Sequence, residues 1–154
     1  GVRALDGSSM NPEEQYHELA YYTLAHLSAD FIHQYVVDAF AAQHASTSDK
    51  PIRLAFALVG LYLHVECHYN GKEVQRAHQA IATINNKRAW PTFLLPEHRG
   101  NVTIADVLAA NAGADRDGVI DMWCRSVWDA FSGCHSMVEQ WLVDFKLPRR
   151  RQKV

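Results

Sequence analysis

Most of the short motifs that reveal a reaction from sequence alone are missing from this chain. It has no glycine-rich phosphate loop, no GxSxG nucleophile motif and no HExxH zinc motif. Cysteine is scarce as well: Cys67, Cys124 and Cys134 are the only three, and no CxxC pair occurs among them. An odd set with this spacing is typical of reduced thiols in a cytosolic protein, so a disulfide scaffold is not predicted.

Long apolar runs are also missing. The longest, Leu54–Leu63, is too short to cross a bilayer and fits a buried core helix better. No basic segment followed by an apolar core opens the chain, so we expect no signal peptide. Together these absences predict a cytoplasmic protein without a membrane-spanning segment.

Positive charge is too scarce for a nucleic-acid-binding surface. The net charge is −2, and four of the 15 basic residues lie in the tail 148–154, which we expect to be solvated. The rest of the chain therefore carries about −6, the wrong sign for contact with phosphate groups. Residues 1–9 show no periodicity, and we expect them to be a disordered or expression-derived leader ahead of Met10.

What the sequence does contain is helical periodicity. A chain of 154 residues with 48% hydrophobic and 21% charged residues is ordinary for one globular domain, which we assign to residues 10–147. Apolar residues recur at helical spacing in most segments, and no segment alternates convincingly as a strand does. The sequence therefore predicts an all-α helical bundle of about four to six helices.

Capping residues and prolines divide this bundle into segments. Asn11 starts a first helix that ends near residue 28, and Asp30 is predicted to cap the second. Pro51 opens a third helix that ends near residue 68 and is apolar nearly all round, so it should be central. The second helix should bury one face, formed by His33, Val37, Phe40 and His44, and a fourth helix should bury Val74, His78 and Ile81. An irregular loop with Trp90, Pro91 and Pro96 is expected to cover the bundle. A short helix capped by Thr103 follows, and then a last helix over residues 115–145 that Ser132-Gly133 bends.

Several stretches of the chain resemble a bacterial family known only as a domain of unknown function, DUF5946. The most specific is the run HQYVVDAFAAQH at residues 33–44. The others are AFALVGLYL at residues 55–63 with Glu66, the pair Trp90-Pro91, TIADV at residues 103–107 and SVW at residues 126–128.

Two departures from that family limit what the resemblance implies. Many relatives carry an N-terminal segment of paired cysteines that looks like a zinc ribbon, and this chain has none. Relatives tend to place arginine and glycine where this chain has Cys67-His68. The resemblance therefore implies a bacterial protein of this family but no activity, and any role of His68 would be peculiar to this chain.

Histidine is the most suggestive residue type, since nine occur in the chain. Short linkers make consecutive helices antiparallel neighbours, so residues equidistant from a turn lie at similar heights. By this reasoning one end of the bundle holds His26, His33, His64, His68 and His78, and the opposite end holds His17 and His44.

Imidazoles from several helices that converge on one point are what a metal site in a bundle requires. His64 and His68 are four residues apart, a spacing at which two imidazoles can share an ion. Glu66 lies one position too far along for HExxH, so a metalloprotease is not predicted. The sequence thus predicts a site for a divalent transition metal such as Zn, Fe or Ni, with ligands drawn from His33, His64, His78, His68 and Glu66.

Simpler explanations of the same residues stay open. A histidine on an apolar face usually donates a hydrogen bond to a carbonyl or carboxylate and does nothing else. Asp38 with Gln34 one turn earlier, and Gln43-His44, could form a buried polar network that fixes the second helix. The tryptophans are expected in the core rather than around a ligand: Trp90, Trp123 and Trp128.

Two functions are compatible with these features. The first is a metal-binding helical protein, such as a metal-dependent hydrolase or oxidoreductase. The second is a non-catalytic domain, without a metal, that binds a small apolar ligand or a partner protein through its aromatic residues. The sequence assigns no catalytic residue and leaves open whether the chain is an enzyme and whether it forms a homo-oligomer.

Overall fold

The computed structural model describes residues 10–25, 30–84 and 89–147. Its regular elements are all helical and these ranges contain no strand, so the predicted all-α fold is confirmed. The predicted leader 1–9, the basic tail 148–154 and His26 lie outside the described residues. The helices are α1 Pro12–Ala25, α2 His33–Gln43, α3 Pro51–Val65, α4 Gly71–Ile84, α5 Ile104–Ala109, α6 Ala114–Ala130 and α7 His135–Asp144.

Helix α3 forms the centre of the bundle, as its composition predicts. Ten of its 15 residues are buried. It packs against α2, α4, α6 and α7, because a helix that is apolar on every side can bury its surface only among several neighbours. In the described ranges, no helix combines the length and the apolar character needed to cross a membrane.

Local capping explains where several helices begin. The Asn11 side chain accepts a hydrogen bond from the Glu14 amide at 2.8 Å, and Thr103 forms a reciprocal capping box with Asp106, both as predicted. A second reciprocal box was not predicted: Asn70 and Glu73 each accept the other's backbone N–H at the start of α4. The pattern Asn-x-x-Glu therefore marks a helix start here, although Asn70-Gly71 reads as a turn in the sequence.

The start of α2 differs from the prediction. Asp30 is not its cap, because the helix begins at His33 and Ile32 occupies the capping position. Asp30 instead accepts a backbone hydrogen bond from Gly71, and Phe31 has a positive φ of 49°. A Cβ on Gly71 would lie 2.5 Å from the Asp30 carbonyl oxygen, so this close approach requires glycine.

The predicted last helix, residues 115–145, is two helices. A 3₁₀ turn, Ser132–Cys134, interrupts it between α6 and α7, so Ser132-Gly133 breaks the helix rather than bending it. The buried residues on both sides are those expected from the helical spacing, including Ile120, Trp123 and Val138. The three cysteines form no disulfide, as predicted, and all three are buried.

The stretch after residue 89 is irregular and covers the bundle, as its prolines predict. Trp90 and Phe93 pack edge-on against Trp141, with ring centroids 4.9 and 5.8 Å apart. Leu94 does not join them: it is 93% exposed. At the far end of the loop, the Gln43 amide donates to the Val102 carbonyl at 2.8 Å and ties the loop to α2.

Arg99 is a second tie between this loop and α2. Its Nη1 lies 3.0–3.2 Å from the carbonyl oxygens of Ala42, Gln43 and Ala45, and its Nε donates to the Pro96 carbonyl. The carbonyls at the end of a helix have no partner within the helix, and a cation there also opposes the negative end of the helix dipole. Arg99 therefore caps α2 from outside the helix.

We expect the Arg99→Ala substitution to lower the free energy of unfolding by about 2–4 kcal/mol, because it leaves several part-buried carbonyls without a charged donor. Urea denaturation measures this. The matched control is Arg125→Ala, which removes a half-exposed arginine in an ion pair with Asp121 and should cost less than about 1 kcal/mol. Equal losses in the two variants would contradict the capping role.

Candidate functional site

The structure gives each histidine of the predicted metal site different partners. The His33 Nδ1 lies 2.9 Å from the Thr23 hydroxyl oxygen on α1. The His78 Nε2 lies 2.9 Å from the Phe56 carbonyl oxygen on α3 and donates to it. Burial lowers the pKa of both imidazoles. Each of these rings is thus held by a local polar group, the simpler of the two arrangements that the sequence left open.

His64 belongs to a separate polar surface with α6. Its Nε2 lies 2.9 Å from the Asp121 carboxylate, which also accepts a hydrogen bond from Arg125 at 2.9 Å. The Tyr35 ring stacks on the imidazole at a centroid distance of 3.7 Å. Burial lowers the pKa of His64, and the opposing effects of the Tyr69 carbonyl and Asp121 do not reverse that shift.

The other two predicted ligands are also engaged elsewhere or exposed. The Glu66 carboxylate accepts a hydrogen bond from the Trp128 indole at 3.0 Å, so it provides the acceptor for the N–H of this buried tryptophan. His68 is exposed and has a positive φ of 60°. Across the described ranges, no three His, Cys, Asp or Glu side chains are grouped closely enough to hold a metal ion. A metal bound by His33, His64 and His78 stays a prediction, and their observed contacts do not favour it.

The residues that do converge line a cleft of about 470 Å³ between α1, α2, α3 and α4, called here the α1–α4 cleft. Three aromatic side chains, Tyr16, Phe40 and Phe56, line it, and the Tyr16 and Phe40 rings pack at a centroid distance of 4.5 Å. The remaining lining residues are Glu13, His17, Gln34, Val37, Asp38, Ala41, Ile52, Arg53, Ala57 and His78.

The polar and charged residues of the α1–α4 cleft form two groups, one at its rim and one on its floor. Glu13, His17 and Arg53 are exposed and form the rim. Gln34 and Asp38 are buried, with 8% and 4% of their surfaces exposed, and with His78 they form the floor. The cleft therefore has an apolar, aromatic body above a small buried polar group, as small-molecule sites commonly do.

A series of hydrogen bonds crosses this floor. The bond between His78 and the Phe56 carbonyl, at one end of the series, fixes which atoms donate and which accept. A carbonyl oxygen can only accept, so the His78 Nε2 carries the proton that Phe56 accepts. In the neutral ring Nδ1 is then an acceptor, and the Gln34 amide nitrogen lies 3.5 Å from it. The same amide nitrogen donates to Asp38 Oδ1 at 3.3 Å. Both N–H groups of Gln34 are thus used in this series of hydrogen bonds, and its amide oxygen remains as an acceptor.

Asp38 is the least satisfied group of this floor. Within the described part of the chain, its Oδ2 is buried and has no hydrogen-bond partner. Burial raises the pKa of the carboxyl well above its ordinary value, and the hydrogen bond from Gln34 only partly opposes that. Oδ2 points at Gly60 of α3, where even a methyl group would collide with it. The fold therefore keeps space for a carboxyl group that it does not fully hydrogen-bond.

The sequence predicted part of this site. Gln34 and Asp38 form a buried polar pair one turn apart, as proposed for the second helix. The prediction of which face of α2 is buried was wrong, however. Gln34, Val36, Asp38 and Ala39 face inward, whereas His44, which was expected on the buried face, is exposed. His17 and His78 were expected at opposite ends of the bundle, yet both line this cleft.

Comparison with known proteins adds a family. The model of DUF5946, described as a family of unknown function, matches residues 7–132. No curated protein and no solved structure matches the chain. Gln34 and Asp38 of the cleft floor, and Gly60, against which the Asp38 carboxyl packs, all lie in the stretches that carry the family resemblance.

Proposed function

Because the chain belongs to DUF5946, a family of unknown function, its membership supplies no reaction, and we propose that it is a small-molecule-binding domain whose ligand occupies the α1–α4 cleft. The ligand has an apolar body, which contacts Tyr16, Phe40 and Phe56, and a polar group, which reaches Gln34 and Asp38. This is the second of the two functions compatible with the sequence.

The observation that carries the proposal is the composition of the α1–α4 cleft, where the aromatic side chains Tyr16, Phe40 and Phe56 lie above a buried polar pair, Gln34 and Asp38. Ligand sites are commonly apolar and aromatic clefts with a few polar groups that fix the orientation of the ligand. The Gln34 amide donates to Asp38 Oδ1 at 3.3 Å, so the pair holds one arrangement on α2 before a ligand binds. A buried polar pair in the lining of an otherwise apolar cleft thus favours a bound molecule over a purely structural role.

The dimensions and lining of the cleft support the same proposal. Its volume of about 470 Å³ lies within the range of drug-sized sites, about 300–1,000 Å³. Aromatic walls supply large buried area without much loss of side-chain freedom, since each ring has few rotatable bonds. The divalent-metal hypothesis is a separate one that elemental analysis of untagged protein tests, and the contacts of His33, His64 and His78 give it no support.

Three probes of similar size test the proposal: phenethylamine, phenylacetamide and phenylacetate. Each joins a benzene ring to a short polar head group, and saturation-transfer NMR detects weak binding. We expect at least one probe to bind the wild-type chain and to lose binding in Ala41→Trp, which fills the cleft from its α2 wall. The control is Ala82→Trp, which adds the same side chain at an exposed position of α4.

Circular dichroism confirms that both variants fold. If none of the probes binds, or if Ala41→Trp and Ala82→Trp bind them equally well, the α1–α4 cleft is not a ligand site and the proposed function is wrong.

A further inference from the structure

We propose that the ligand of the α1–α4 cleft is an uncharged, largely apolar molecule with an N–H or O–H donor, and that the side-chain oxygen of Gln34 accepts this donor's hydrogen bond. The inference rests on the proposed function and specifies the chemistry of its ligand. It narrows the polar contact to one member of the buried pair on the floor. Three features carry it: the direction of the hydrogen bonds, the access to Gln34 Oε1 and the neutral state of the floor.

His78 fixes the direction of the hydrogen bonds on the floor. Its Nε2 donates to the Phe56 carbonyl, so Nδ1 is an acceptor, and only the nitrogen end of the Gln34 amide suits it. A protonated Asp38 carboxyl can donate as well as accept, so Asp38 alone does not orient the amide. Turning the amide over, however, would place the Gln34 oxygen against the His78 acceptor. The nitrogen therefore faces His78 and Asp38, and Oε1 is the end of the amide that is left.

Gln34 Oε1 is open to the cleft, although only 8% of the residue is exposed. No donor among the described residues lies within hydrogen-bonding distance of it. It is not sealed from solvent as Asp38 Oδ2 is, and the cleft is the cavity that Gln34 lines. Asp38 itself offers a ligand little, since Oδ1 is bonded to Gln34 and Oδ2 packs against Gly60. The floor thus presents one oxygen that requires a donor.

The floor residues offer no charge to balance a charged head group. Burial raises the pKa of Asp38 and lowers that of His78, which favours the uncharged forms of both near pH 7. Glu13 and Arg53 are charged, but both are exposed at the rim. Moving a charged group from water to a buried site without an opposite charge is costly. A hydroxyl, an indole N–H or an amide is therefore favoured over an ammonium or carboxylate group.

Tyr16 also brings a polar group, its hydroxyl, to the cleft. Burial raises the pKa of this hydroxyl, and Arg53 and Asp38 are near enough to shift it in opposite directions. A hydroxyl rotates to donate or to accept, so it suits ligands of either kind, whereas an amide oxygen can only accept. Discrimination between donor and acceptor ligands therefore comes from Gln34.

Indole and benzofuran are the probes that test this, because they share one bicyclic shape and differ in having a ring N–H or a ring oxygen. We expect the wild-type chain to bind indole about five- to a hundredfold more tightly, since benzofuran would leave Gln34 Oε1 desolvated and without a donor. NMR titration measures both affinities. Of phenethylamine, phenylacetamide and phenylacetate, phenylacetamide should bind most tightly, because its head group is uncharged and has N–H donors.

Three variants identify the group that discriminates. Gln34→Leu should abolish the preference, by weakening indole and not benzofuran. Gln75→Leu makes the same change at an exposed position of α4 and should leave both affinities unchanged. Tyr16→Phe keeps the ring and removes the hydroxyl, and the preference for indole should survive it. Circular dichroism confirms folding, and the comparison of probes on the wild-type chain decides the question even if Gln34→Leu does not fold.

The outcomes distinguish this inference from the proposed function. If benzofuran binds the wild-type chain as tightly as indole, or if folded Gln34→Leu still prefers indole, the inference is wrong. The same holds if phenethylamine or phenylacetate binds more tightly than phenylacetamide. In each of these cases, binding that Ala41→Trp abolishes still supports the cleft as a ligand site. If no probe binds, the proposed function and the inference fail together.

Discussion

In the Asp38→Asn variant, we expect unfolding at neutral pH to require more denaturant than in the wild-type chain, with a difference that grows as the pH rises. Burial raises the pKa of Asp38, so the folded state keeps a proton that the unfolded chain has already lost. The stability that depends on this proton is fully present below the unfolded pKa, about 3.9, and falls as the pH rises towards the folded pKa. Within that window each pH unit costs the wild-type chain about 1.4 kcal/mol, which asparagine avoids.

Guanidinium unfolding curves at several values between pH ~5 and ~8 measure this difference. The absolute stability of the wild-type chain also contains the histidines, because burial lowers the pKa of His33, His64 and His78 and their protonation destabilises the fold at low pH. Both proteins share that contribution, so only the gap between them reports Asp38. Asp129→Asn makes the same change at an exposed position of α6 and should run parallel to wild type. A gap for Asp38→Asn that does not change with pH would show that Asp38 is ionised in the fold.

The second large effect is expected at Gly60. A Cβ at this position would lie 2.5 Å from the Asp38 Cγ and closer still to Oδ2, well inside van der Waals contact. Gly60→Ala must therefore move α2 away from the central helix or force the Asp38 side chain out of its position. Overpacking of this kind costs about 1–3 kcal/mol, and a contact this short places Gly60→Ala in the upper part of that range, above the gain of about 1 kcal/mol that alanine brings within a helix.

The same substitution at Gly118 is the matched control. Gly118 also lies within a helix, α6, but a Cβ there would meet no atom within 4 Å. Gly118→Ala should therefore stabilise the chain by about 0.5–1 kcal/mol, opposite in sign to Gly60→Ala. Combining Gly60→Ala with Asp38→Ala should recover part of the loss, because the colliding carboxyl is gone. Additive losses in that pair would mean that the collision is not with Asp38.

The sequence predicts the helices well because their signals are local. Proline at the start of α3, the Thr103–Asp106 capping box and the apolar run of α3 each act within a few residues, and the structure contains all three. Boundaries fail where tertiary contact decides them. Asp30 has the side chain of a good cap, but its backbone is occupied by Gly71 of another helix, which no pattern around residue 30 shows.

The cleft could be predicted only in part, for the same reason. That Gln34 and Asp38 form a buried polar pair follows from their spacing on an otherwise apolar helix. Which face of α2 points inward does not follow from the sequence. The small residues Ala39 and Ala42 are buried, whereas Phe40 packs on Tyr16 outside the core. Small residues face inward where two helices come close, and that distance is a property of the neighbour and not of the helix itself.

The close approaches of neighbouring segments at Gly60 and Gly71 also restrict how sequences of this family can diverge. At Gly60 and Gly71 any larger side chain meets atoms of a neighbouring segment, whereas Gly118 and Gly133 face open space. Selection should hence keep the first two glycines and let the other two drift. A relative that has lost Gly60 should also have a smaller residue in place of Asp38, so these two positions are inherited as a pair, although they lie on different helices.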